Sequence, residues 1–496
     1  MELFAFVLYF VAMIAIGLYF FAVSKSSDEK DYFLGGRAMG PWVTAMSAQA
    51  SDKSAWLLMG LPGSILAFGF GKAWVGIGLA IGTALNWIIV AKRLRKFSKA
   101  SGDAITLPQY LSNRFNSKGH ALTIICAVVF LICFTIYVAS SFVAGTKVFT
   151  TLVPSLSTNA AMLIFAAIII VYTFLGGFKA VCWTDFFQGL LMIIAISAVP
   201  LVIMISGDYD TAELANVYEY QGTQYKFVAN FFSASWQDIV SGLGWGLGYF
   251  GMPHIIVRFM SIEKPSMVKK SATVAIIWVI ISLAATILVA YFGRMLIGGE
   301  LLTTGTQELV FVRLARGIFP PFIAGILLAA IVAASMSTAD SQLLVAASSF
   351  SSDIYKPVIK KNASEKEMLW ISRIVVLVIA VVAYFIANSK GDGAKAIMSM
   401  VENAWGLFGA AFGPVVLLSL FWKRFTYKGA VSGILAGAIV DIVWFFTLSA
   451  STGIYEIIPG FIAGAVAAVV VSLIDSKPSE DVCKIFEAAT DNSIDD

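Results

Sequence analysis

Four charged side chains, Asp52, Lys53, Asp185 and Asp340, stand inside runs that are otherwise apolar. A charge held in hydrocarbon costs about 2.5–3.5 kcal/mol on insertion scales, so each marks a candidate site for balancing or moving ions. Three acids and one base can neutralise one another in a protein-lined cavity. Around Asp340, the residues Ala334, Ser337, Thr338 and Ser341 follow the spacing i, i+3, i+4, i+7, which sets hydroxyls on one helical face. Hydroxyl and carbonyl oxygens are hard ligands that suit a small alkali cation and not zinc or copper. One such serine bonds back to its own helix; a cluster of them beside a carboxylate points to cation binding. Rings gather near the charges as well. Trp56 is four residues beyond Asp52 and Gly60 four beyond that, Trp245 and Tyr249 are again four apart, and Tyr137 adds a polar-tipped ring. Any one ring serves packing equally well. Together they fit a small, partly apolar solute with a charged headgroup, whose carboxylate is held by unpaired backbone donors at a half-helix end.

Such chemistry needs interrupted helices, because only a break in a membrane helix leaves backbone groups free for ligands. Two segments have that character. Ala45 to Gly63 packs small polar residues, Asp52-Lys53 and Gly60/Pro62/Gly63 into one apolar stretch, and Gly242 to His254 has glycine at nearly every second position. Glycine also serves close helix packing, but clusters this dense beside charges favour breaks. Glu402 and Asp441 lie in or near later spans, where a carboxylate facing a bundle contact or the interface explains them as well as function does. His254 ends the second broken segment and His120 is expected at the interface.

The elements follow from composition. With 59% hydrophobic and 13% charged residues and a mean hydropathy of +0.85, the 496-residue chain is expected to be an all-α integral-membrane protein. Apolar runs give about thirteen spans, near 2–24, 41–67, 72–91, 120–146, 157–178, 184–206, 229–256, 271–293, 321–350, 369–388, 396–422, 429–449 and 456–474. The first lacks a basic leader and a cleavage site before Lys25, so it is expected to remain. Twenty-five of the 34 lysines and arginines, Arg258 among them, fall in connections on one side and eight on the other, with Lys53 inside a span. The rich side is cytoplasmic by the positive-inside rule, which puts the N-terminus outside and the C-terminus inside. The loops around Asp208 to Glu219 and Gln307 to Gly317 then lie outside and have room for short helices. The broken segments are five spans apart, as two inverted five-helix repeats require. The divisions expected are 1–40 for the first span and its cytoplasmic loop, 41–206 and 207–424 for the two repeats, 425–475 for two added spans, and a polar cytoplasmic tail, 476–496. The cysteines Cys126, Cys133, Cys182 and Cys483 show no disulfide or zinc spacing. A soluble enzyme, a nucleic-acid binder and a receptor with an output domain are all disfavoured. No protein partner is implied beyond the bilayer, and broken helices with aromatics argue for a carrier over a channel.

Asp31-Tyr-Phe-Leu-Gly-Gly-Arg37, Ser54 to Gly63, Thr106-Leu-Pro-Gln-Tyr110, Trp183-Thr-Asp185, Gly244 to Gly251 with Pro253-His254, Ser337-Thr338, Gln342 to Val345, Gly409 to Pro414 and Tyr455 to Phe461 resemble the proline branch of the sodium:solute symporter family. The match runs from the first span to the last. The resemblance implies a LeuT-type fold of inverted repeats, alternating access, and uptake of L-proline driven by a sodium gradient across the bacterial plasma membrane. It implies a sodium site made of backbone carbonyls at Ala50, Lys53 and Ala334 with the Ser337 and Thr338 hydroxyls. Asp52 then matches an acid needed for sodium coupling, Asp185 one linked to a further ion site or exit path, and Arg37 a functionally important cytoplasmic arginine. The substrate region is expected at Trp56, Gly60, Tyr137, Trp245, Tyr249 and Pro253. Three positions depart from that pattern: Lys53 stands for an apolar residue, Asp340 for a serine and Ala55 for a glycine. A base and an acid gained together raise an alternative expectation, that Lys53 pairs with Asp340 or Asp185 and replaces bound sodium, so that coupling is to protons or independent of sodium.

Overall fold

The computed structural model describes residues 1–23, 29–117, 119–207, 209–389 and 396–491. Lys25, Lys118, Lys390 and Lys395 of the charge tally, and Asp208, lie outside the described residues. After α1 (Glu2–Val23) and the short α2 (Glu29–Leu34), the second apolar run divides into α3 (Pro41–Asp52) and α4 (Gly60–Phe68). Then come α5 (Trp74–Leu85), α6 (Lys92–Ala100), α7 (Leu107–Arg114), α8 (Ala121–Leu152) and α9 (Thr158–Ser206). A hairpin, β1 (Val217–Tyr220) with β2 (Thr223–Lys226), precedes a second divided run, α10 (Trp236–Gly244) and α11 (Pro253–Ser261). The chain continues through α12 (Val268–Leu302), α13 (Val310–Ile318), α14 (Pro321–Phe350), α15 (Glu365–Ser389), α16 (Ala396–Phe421) and α17 (Tyr427–Thr447), the one-turn α18 (Ser449–Thr452), α19 (Ile457–Ile474) and α20 (Glu480–Thr490). Among the described residues, ten helical stretches are long and apolar enough to cross a membrane. The other three expected spans correspond to α3 with α4, α10 with α11, and the first part of α9.

Both expected breaks are present. α3 starts on Pro41, whose missing N–H is no loss in a first turn, and stops at Asp52, with Lys53 leaving helical geometry at φ −85° and ψ 66°. α11 likewise starts on Pro253 after a tight turn of 3₁₀ helix, Trp245–Phe250. The glycines of this second segment also pack closely: a Cβ on Gly246 or on Gly82 of α5 would overlap the other segment's backbone, and one on Gly248 would enter the Trp405 ring. Glycine density here therefore reports close approach as much as the break.

Several boundaries differ from expectation. The spans expected at 157–178 and 184–206 form one helical run, kinked at Gly177, whose φ of 65° and ψ of 173° only glycine adopts easily. The run expected from 229 becomes helical only at Trp236, where the Ser235 hydroxyl caps the helix by accepting from Asp238 N at 3.0 Å. The hairpin adds strand to an all-α expectation. Its tyrosines favour a pleated strand, and Gln221-Gly222 at φ 49° and 77° make the two-residue turn. The outer loop from Gln307 does hold a helix, α13. The tail is no loose appendage: α20 lies on α6, with the Phe486 ring 5.3 Å from Phe97 and the Arg93 and Arg114 guanidinium groups over it at 5.7 and 5.1 Å.

At the centre lies α14, buried from Leu327 to Ser349 against α3, α8 and α9. Its hydroxyl face meets protein and not lipid.

Candidate functional site

The site grows from the end of α3. In a continuous helix the Ser54 amide would serve the Ala50 carbonyl; here it bonds Asp52 O at 3.0 Å, and the Leu57 amide, which would serve Lys53, turns to Ser54 O at 3.1 Å. The break thus releases carbonyls beside α14. Ser337 Oγ donates to Ala50 O at 2.9 Å and sits 3.2 Å from Ala334 O, while Thr338 Oγ1 donates to Ala334 O at 3.0 Å. Hydroxyl lone pairs remain available in this arrangement. The oxygens of Ala50, Ala334, Ser337 and Thr338 form one buried cluster of hard ligands, with Lys53 at its edge in the same break.

The Lys53 side chain leaves in another direction. Its ammonium bonds the Asp52 carboxylate and the Tyr249 hydroxyl, and Tyr249 Oη donates to Asp52 Oδ2 at 2.6 Å. It lies over the rings of Trp56 at 5.7 Å and Tyr249 at 4.9 Å. The expected pairing with Asp340 or Asp185 is therefore corrected: Lys53 is committed to Asp52 on the face turned toward the second broken segment. Asp185 has its own cation, Arg258, whose Nη2 is 3.0 Å from Asp185 Oδ2. Ser47 Oγ donates to the same carboxylate at 2.6 Å, and Arg258 also donates to Ser47, to the His254 carbonyl and to Ser341. Ser341 Oγ in turn donates to Asp340 Oδ1 at 3.3 Å.

Arg258 was missed as an intramembrane charge because it was counted with the connection that follows. Its signal was present: it stands in Ile255-Ile256-Val257-Arg258-Phe259-Met260, four residues beyond His254, which puts it on α11 and inside the core. Ser47 carried no distinguishing signal.

Of the residues expected around a solute, Trp56, Tyr137, Trp245 and Tyr249 are buried, and the Trp245 and Tyr249 rings bracket Trp405 at 6.4 and 5.0 Å. Gly60 and Trp245 line a cavity of about 380 Å³ that Ser64, Lys72, Glu308 and Glu402 also bound. Trp245 and Glu402 recur in a neighbouring cavity of about 210 Å³ with Asp238 and Tyr455. Pro253 sets the start of α11 and lines neither. Asp441 is buried in α17 beside Gly406 and Tyr455, whose ring packs 5.2 Å from Trp245.

At the opposite end Arg37, with φ 57°, is held on every side: Nη2 donates to Ala104 O at 2.8 Å, Nη1 to Ser98 Oγ at 3.1 Å and to the Met260 carbonyl, and Nε pairs with Asp103 at 2.7 Å. Partial burial pushes the Asp103 carboxyl up, but hydrogen bonds and charge from Lys30 and Arg37 outweigh it and hold the group below its ordinary value.

Two broken helices, a hard-oxygen cluster between one break and a buried helix, and a cavity lined by Gly60 and Trp245 of the two broken segments fit an ion-coupled membrane carrier. The chain belongs to the sodium:solute symporter family, whose model matches residues 32–437. It is 43% identical to the sodium/proline symporter of Haemophilus influenzae, covering 98% of this chain and 97% of that one. It is also 43% identical to the Escherichia coli sodium/proline symporter, over 98% and 95%. A high-affinity proline transporter of Bacillus subtilis is 40% identical over 96% and 98%. Among solved structures, a sodium-coupled sialic acid symporter in a substrate-bound outward-open state aligns with a TM-score of 0.75 at 19% identity, over 97% of this chain and 99% of that one. Mhp1, a transporter of the nucleobase-cation-symport-1 family, aligns at 0.58 and 14%, over 92% and 98%. The fold is thus the LeuT type, and the chain is a multi-pass membrane protein.

Proposed function

We propose that this chain imports L-proline together with sodium across the bacterial plasma membrane by alternating access. The reading rests on the oxygen cluster at the α3 break, in a chain 43% identical along nearly its whole length to sodium/proline symporters. Sodium is held by the carbonyls of Ala50, Lys53 and Ala334 and the hydroxyls of Ser337 and Thr338, with Asp52 supplying negative charge at the same break. Proline lies among Trp56, Gly60, Tyr137, Trp245 and Tyr249, and Pro253 sets the helix end beside it. Asp185, with Asp340 and Arg258, lines the ion's path toward the cytoplasm, and Arg37 closes that face. Residues 41–206 and 207–424 act as the two inverted repeats, with the N-terminus outside and the C-terminus inside, as charge asymmetry favours.

Proton coupling through Lys53 loses its basis with the pairing it required, since the ammonium is bonded to Asp52 and Tyr249. The test is uptake of radiolabelled proline into liposomes holding the purified protein. An inward sodium gradient alone should drive accumulation. Accumulation under a proton gradient without sodium, or none under either, overturns the reading.

A further inference from the structure

In the proposed cycle Lys53 lends sodium only its backbone carbonyl, which leaves a buried ammonium without a task. That ammonium is bonded to Asp52 and Tyr249 above the Trp56 and Tyr249 rings, and Tyr249 stands four residues on from Trp245, which lines the cavity at Gly60. Its side chain is 0% exposed, and Asp52 Oδ1 is buried without a hydrogen-bond partner among the described residues. A buried carboxylate oxygen without a partner, beside a buried cation and two ring faces, can accept one further charge-assisted hydrogen bond.

Resting on the reading of the chain as a proline transporter, we infer that Lys53 and Asp52 together receive the two charges of the substrate. The Lys53 ammonium takes the proline carboxylate, and Asp52 takes the secondary ammonium through its open Oδ1. The pyrrolidine ring lies against the faces of Trp56 and Tyr249. The charge count favours this exchange. The pair is neutral and so is the zwitterion, so four alternating charges meet and substrate adds no net charge to that of the bound sodium. A molecule bearing only one of the two charges leaves a buried partner uncompensated. The pair therefore selects for zwitterions as a class, with the rings choosing a compact apolar body.

The test is competition against radiolabelled proline on the purified full-length protein in saturating sodium. The competitors are L-prolinamide, which lacks the carboxylate, and cyclopentanecarboxylate, which lacks the amine. The wild type should prefer proline to each by about tenfold or more, the loss expected when one charge-assisted hydrogen bond is missing. Lys53→Met should weaken proline binding by a similar factor and erase the preference over prolinamide, while Lys53→Arg keeps it. A purely structural lysine would lower all affinities together and leave the ratio unmoved. Where Lys53→Met does not fold, the wild type and Lys53→Arg decide. Prolinamide competing as well as proline in the wild type, or Lys53→Met keeping the preference, overturns the receptor role alone. A wild type that binds no proline overturns the transport reading and this one with it.

Discussion

Replacing Arg258 by methionine would leave Asp185 buried beside Ser47 with its charge uncompensated, which costs about 3–5 kcal/mol. Arg258→Met should therefore lower the melting temperature in detergent sharply, and Arg258→Met with Asp185→Asn should recover most of the loss; equal losses in the single and double variants would refute the pairing. Ser337→Ala makes a different demand. It removes one oxygen from the cluster and no buried charge, so stability should change little while the sodium concentration for half-maximal proline uptake rises by about tenfold, the worth of roughly one ligand hydrogen bond to an ion. What the sequence revealed at this scale depended on type and spacing within one helix. Ser337, Thr338 and Asp340 were legible because they share a helical face. The partners of Lys53 were not, because direction off a broken helix end is set by the element it faces, and Tyr249 is 196 residues away.

Between elements, the breaks at Lys53 and at Trp245–Phe250 were legible from glycine, proline and charge, since these residues end helices for local steric reasons. The hairpin and the kink in α9 were harder to see. The apolar runs did leave a gap at 179–183 beside Gly177, but that the helix continues through it with a single positive φ leaves no periodic trace in sequence. The kink nonetheless has a consequence. A Cβ at Gly177 would lie 3.0 Å from the Tyr32 ring and force an L-residue into a positive-φ extended conformation that is essentially reserved for glycine, at about 1–3 kcal/mol. Gly177→Ala should lower thermal stability by about that amount, as a melt would show. An unchanged melt would mean that α9 can straighten there.

The two ends of the molecule are built differently. The cavities that reach Gly60 and Trp245 lie among Lys72, Asp238 and Glu308, whereas the opposite end is tied by Arg37 to the ends of α6 and α11 and to the Ser101–Thr106 loop. Under the orientation proposed above, that tied end is the cytoplasmic seal of the cycle. Asp103 sets how firmly the seal holds. Because its carboxyl is held below its ordinary value, the stabilisation is present above the ordinary carboxylate range and is lost as pH falls through the lowered value. The seal should therefore be insensitive to pH near neutrality and weaken only in strong acid. Asp103→Asn imitates that acid state at pH 7. Asp103 and Lys30 are both well over a third exposed, so the contribution is at most ~1 kcal/mol and the effect up to roughly fivefold. Hydrogen exchange across Glu29–Met39 and Ser101–Thr106 should quicken by that factor in Asp103→Asn, and the proline concentration for half-maximal uptake should rise as the outward-facing population falls. Faster exchange with unchanged uptake would make Asp103 a local clasp and leave Arg37's bonds to Ser98, Ala104 and Met260 as the seal itself.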